Sequence, residues 1–148
     1  MEESADPRST VFIHKTVNLE FGRPVVEVAL NRCRQALDEA IINQVSVITL
    51  IHGYVSSGKG GAIKTECRNI LDYFKEKGII SDYIAGEDFN KKSGRVRAIL
   101  QRYAQLAKDR NLNKGNQGIT LVILSFAFLF ISLPFFVSTA IFQVIGLS

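Results

Sequence analysis

Apolar positions change their period several times along this chain, and each change marks an element. Residues 11–19 are rich in β-branched and aromatic side chains and predict a strand, with His14, Thr16, Asn18 and Glu20 on one face and Ile13, Val17 and Leu19 on the other. Pro24 suits the first position of a helix reaching residue 42, because Val26, Leu30, Cys33, Leu37 and Ile41 recur every three or four residues. Residues 45–51 predict a second strand. Gly60 and Gly61 open a second helix that turns Ile63, Cys67, Ile70, Leu71 and Phe74 inward, and Gly78 stops it. A third strand over 79–85 follows, then a third helix over 95–108 with Val96, Ile99, Leu100, Tyr103 and Leu106 inward, and a last strand beginning at Ile119. The order βαβαβαβ predicts an α/β fold: a small two-layer sandwich on a mostly parallel sheet with right-handed crossovers.

The pattern then stops alternating. No charged residue follows Lys114, and the apolar run over 119–147 is long enough for a bilayer span even after its first six residues join the sheet. Residues 125–145 are the candidate transmembrane helix, and Pro134 is tolerable there because mid-helix prolines are accommodated in membranes. Lys108, Arg110 and Lys114 precede the run, so the positive-inside rule puts the folded domain in the cytoplasm as a tail-anchored protein. The alternative is a soluble cytoplasmic domain whose tail packs elsewhere. A strand ending near Leu124 leaves no linker before such a span, so 119 onward is strand followed by a kink, or helix throughout, or the tail is an extension that the native protein does not use as a span. The chain divides into a polar extension over 1–10, a domain over 11–124 and a tail over 125–147.

Composition narrows the partner more than the fold. One domain's worth of residues with a net charge of +4 favours an anionic partner. Cys33 and Cys67 fall on the apolar stripes of two different helices without a C-x-x-C or a histidine cluster, which predicts buried reduced thiols, no metal site and no cofactor.

The chemistry gathers in residues 45–64, VSVITLIHGYVSSGKGGAIK, where an apolar strand runs into a basic glycine-rich loop and then a helix. Backbone amides at such a strand end bind phosphates. Gly53, Gly58 and Lys59 stand as G-x-x-x-x-G-K, but Gly60 replaces the Ser or Thr that would hold magnesium in a P-loop, and the remaining chain is short for a nucleotide hydrolase. A P-loop-like nucleotide-binding protein is therefore the distant alternative. His52-Gly53 followed by Ser57-Gly58-Lys59-Gly60-Gly61 resembles the His-Gly-x-Gly-x-Gly signature of the Smr (small MutS-related) domain, with a lengthened loop. Residues 17–20, 85–89 and 115–122 resemble other parts of short, free-standing members, so the likeness covers roughly residues 11–124.

The resemblance implies binding of RNA or structured DNA, and endonuclease activity where its catalytic residues are kept. His52 and Glu20 are the candidate catalytic pair: His52 can exchange a proton, and Glu20 can act as a base. Asn18 and Glu20 stand where many members carry an acid and a histidine, and Asn18 cannot ionise, so the family pair is not reproduced. Asn18, Gly53, Tyr54, Gly58, Lys59, Gly60, Gly61, Lys64 and Arg68 are the candidate nucleic-acid contacts: the glycines for close backbone approach, Lys59 for phosphate, Tyr54 for stacking, and Lys64 and Arg68 as a basic stripe. The rival from another class is a membrane-tethered interaction module with the same fold and no chemistry.

Overall fold

The computed structural model describes residues 11–54 and 58–124. The extension over 1–10, the loop over 55–57 and the tail over 125–148, with its expected transmembrane helix, lie outside the described residues. Among the described residues no helix is long and apolar enough to cross a membrane.

The elements follow the expected order: β1 (His14–Asn18), α1 (Val26–Ile42), β2 (Val47–Ile51), α2 (Gly58–Glu76), β3 (Ile80–Ala85), α3 (Gly94–Arg102) and β4 (Ile119–Leu124), with 3-10 turns at Gly86–Asp88 and Ala104–Lys108. The third helix is shorter than its sequence pattern. It ends at Arg102, and Tyr103 leaves the helical conformation with ψ 80°, which turns the chain into the second 3-10 segment. Ser93 caps its start, its hydroxyl accepting from the Val96 amide.

The sheet order is β1-β2-β4-β3. β1 pairs with β2 in parallel, whereas β4 runs antiparallel to both of its neighbours. The expectation of a mostly parallel sheet is thus corrected to a mixed one: β4 inserts between β2 and β3 instead of extending an edge. Residues 119–124 are strand, which removes the all-helix alternative. All six are buried, as a central strand covered on both faces requires.

The two-layer expectation is corrected for the same reason. Ile48, Leu50, Val122 and Leu124 face a cluster with Cys33 and Leu37 of α1 and Cys67 and Leu71 of α2. Val47, Leu121 and Ile123 face the opposite way into a second cluster with Val96 of α3, Tyr103, Leu106 and Leu112. The sheet is the middle of three layers. α1 buries Ala29, Ala36 and Ala40 alongside Cys33 and Leu37 of the expected stripe, while Val26, Leu30 and Ile41 are only partly covered. Its small residues let the helix approach closely.

Cys33 and Cys67 meet where α1 crosses α2, with sulfurs 3.5 Å apart, both free and fully buried. Their mutual hydrogen bond, with burial, pushes the Cys67 thiol well above the usual range. Native protein should therefore react with a thiol reagent at least about 100-fold more slowly than free cysteine, with both thiols titrating together on unfolding. Rapid modification of either one in the folded protein would contradict this packing.

Candidate functional site

At the carboxyl end of β2 the chain makes a sharp exit that depends on β4. The Gly118 carbonyl accepts from the amides of both His52 and Gly53, each at 3.0 Å. Gly53 has φ +86°, a conformation that L side chains rarely adopt, and the Glu20 carboxylate lies directly against its Cα, in the space a Cβ would need. The backbone conformation is what calls for glycine, since the carboxylate is the end of a flexible side chain that can swing aside. Glu20 is thus brought against Gly53, while both ring nitrogens of His52 are bonded to other partners.

His52 is fully buried. A carbonyl can only accept, so Nδ1 carries the proton given to Gly53 O at 3.1 Å, and Nε2 accepts from the Thr120 hydroxyl at 2.8 Å. The Thr120 oxygen in turn accepts from Arg68 Nε at 3.4 Å. Burial holds the imidazole down at about 4, with Arg68 and Lys64 adding to the shift and the Gly53 bond opposing it. His52 is a neutral group with both nitrogens engaged.

The expected basic stripe of α2 is partly spent on one acid. Arg68 grips Glu87 through two bonds of 3.0 and 2.9 Å, and Lys64 approaches the same carboxylate at 3.5 Å. Against the cost of partial burial, the Arg68 bonds keep the Glu87 carboxyl below its ordinary range. Asn18 turns back on its own chain, its side-chain oxygen accepting from the Glu20 amide at 2.9 Å. Gly60 and Gly61 lie in the first turn of α2 as expected, and the helix starts two residues earlier, so Gly58 and Lys59 belong to that turn instead of the loop; the Lys59 side chain lies outside the described residues. Tyr54 stands at the surface, 65% exposed.

On the opposite face of the same strand end is a cavity of about 360 Å³, with Thr16, Thr49, Tyr54, Asp109, Asn111 and Asn116 among its walls. Here His14 meets Thr49 at 2.7 Å and lies 3.9 Å from Asp109. Burial lowers its pKa, and Asp109 opposes that shift. Of the residues that line it, Gly53 and Tyr54 are binders expected from the sequence. Asp109 and Asn111 have no motif of their own and Asn116 falls in the 115–122 stretch of the resemblance without a role there, although the Asp/Asn-rich stretch before Gly118 is a turn signal that could have marked the segment. Among the described residues no group of three or more His, Cys, Asp or Glu side chains could hold a metal ion.

The cations are also distributed unevenly. Of the 18 lysines and arginines in the chain, eight fall within 91–114, against one of the 14 acids, Asp109. Arg95 in this stretch pairs with Asp82, while Lys91, Lys92, Arg97, Arg102, Lys108, Arg110 and Lys114 are exposed. No family model, curated protein or solved structure matches the chain. The site's chemistry is therefore the basis for assigning it a role.

A neutral buried His52 has a consequence for pH. Its folded pKa lies below the ordinary 6.5, so the unfolded chain binds the proton more readily. Stability should fall progressively between pH about 6.5 and about 4, by on the order of 2–3 kcal/mol from this group, and level off below. His52→Gln should flatten that part of the stability curve in urea titrations, leaving the smaller His14 contribution. An unchanged acid slope in the variant would mean that His52 is charged or exposed in the fold.

Proposed function

We propose that this chain is an Smr-like nucleic-acid-binding domain, holding RNA or structured DNA at the sheet end where β2 leads into α2. The observation that carries it is the charge asymmetry: the segment 91–114, beside the strand-end cavity, concentrates exposed cations with a single acid. Such a surface suits a sugar-phosphate backbone. The first turn of α2 is glycine-rich and free of acids, and adds backbone donors near the same end. Of the expected contacts, Gly53, Tyr54, Gly58, Lys59, Gly60 and Gly61 remain assigned to the ligand, whereas Lys64 and Arg68 act mainly through Glu87.

Binding is favoured over cleavage. The neutral His52 with both nitrogens engaged is a poor proton shuttle, and the Glu20 carboxylate lies against Gly53. The same occupied histidine favours, as a second reading, a membrane-tethered interaction module that does no chemistry. In either case the apolar run over 119–147 suggests attachment beyond β4, with the domain in the cytoplasm.

Gel-shift titrations of the full chain against RNA and branched DNA should show a salt-dependent complex with little sequence preference. Arg110→Ala and Lys92→Ala should each weaken it uniformly and reduce the log–log salt slope by about 0.7–0.9 for each phosphate no longer neutralised. Lys59→Ala should do the same, while Glu87→Gln, by releasing Lys64 and Arg68, should tighten the complex. The absence of any complex at low salt, or unchanged slopes in all the cation variants, rejects nucleic-acid binding. Separately, alkaline carbonate should leave the full chain in the membrane pellet; its release into the supernatant would reject the tail anchor.

A further inference from the structure

The cavity on the α3 face is the feature that the basic surface leaves unused. Its volume of about 360 Å³ lies at the lower end of the range for small-molecule sites, about 300–1,000 Å³. Ile51 and Ile119 give it apolar wall, against which the flat face of a ring can lie, and Thr16, Thr49 and the 109–118 segment ring this surface with hydroxyl, amide and carboxylate groups. Tyr54 stands at the mouth with most of its ring in solvent.

The polar wall is built in advance. Asp109 accepts from the Asn111 amide at 2.7 Å, Asn111 accepts from the Asn116 side chain at 3.1 Å, and Asn116 accepts from the Gly118 amide at 2.9 Å. This relay fixes the segment against the start of β4, while Thr49 is held from behind by His14. The Asp109 side chain is only 9% exposed.

Charge then selects the occupant. A buried carboxylate in the wall disfavours an anion inside, yet Arg110 lines the cavity and Lys108 and Lys114 are exposed on the same segment. The arrangement suits a ligand with a neutral polar ring inside and a phosphate outside. We propose that this cavity is a nucleoside site, taking one unpaired base with its sugar from a bound strand, the base stacked on Tyr54 and its phosphate directed to Arg110. This rests on the proposed nucleic-acid-binding function and names the part of the strand that the domain grips.

The test uses isotope-labelled full-length protein in detergent micelles, titrated with adenosine, cytidine and uridine, and separately with ribose and with inorganic phosphate. At least one nucleoside should shift the Thr16, Thr49 and Asn111 amide signals saturably, with a Kd of about 1 mM, the order expected for a stacked base with added contacts to the cavity wall. Tyr54→Ala should weaken this at least about fivefold, and Thr16→Phe, on the exposed side of an edge strand, should block it. No saturable shift up to about 10 mM overturns the site, as do shifts that survive both substitutions, or equal binding of phosphate alone. If wild type binds oligonucleotides and neither substitution affects that binding or any nucleoside shift, the cavity proposal fails and the broader function stands. Nucleoside binding that obeys both substitutions without any oligonucleotide complex supports the cavity and removes the strand-binding function.

Discussion

Everything at the functional end of this molecule hangs on the insertion of β4 between β2 and β3. A central strand must satisfy its backbone on both edges and bury side chains on both faces. Residues 119–124, ITLVIL, meet that demand with six consecutive buried side chains. The residue just before it does the positioning: the Gly118 carbonyl collects two amides from the chain leaving β2, and Thr120 supplies the hydroxyl that fixes His52. Were β4 at an edge, the His-Gly turn would have nothing to close against. Asn116 and Gly86 show how tightly this junction is packed, since a Cβ at Gly86 would collide with the Asn116 carbonyl and the Ile119 side chain.

Periodicity makes the elements legible, and the start of β4 at Ile119 is visible in the sequence. Strand order is not. A fully buried strand carries no alternation to announce its neighbours, and the direction of β4 follows from a connection through α3 and the Ala104–Lys108 3-10 turn, which the sequence reads as one long helix. Tyr103 breaks that helix by packing into the second cluster, a tertiary override of a pattern that continues to Leu106. The depth of His52 is hidden too, because its partner Thr120 is 68 residues away. Glu20 is legible as a neighbour of the turn, though its motif gives no sign that the carboxylate fills the space above Gly53.

The two histidines of the chain solve the same problem on opposite faces of the sheet. His14 and His52 each bond a threonine hydroxyl on the adjacent strand, and burial keeps both on the neutral side. They brace polar groups inside a sheet that is otherwise apolar. The acids are placed differently: Glu87 and Asp82 each draw two cations, Lys64 with Arg68 and Lys75 with Arg95. These pairs tie the solvent edges of α2, β3 and α3 together and leave the uncommitted positive charge on the segment leading to β4.

The antiparallel direction of β4 also sets the polarity of the whole body. Because Ile119 pairs with Ile51 and Leu124 with Ile80, β4 starts beside the His-Gly turn and ends among the first residues of the other strands. Six residues at about 3.3 Å each carry the chain about 20 Å away from the turn. The chain therefore leaves β4 at the far pole of the domain, and the strand-end groove faces outward from that exit like the face of a hand held away from the wrist.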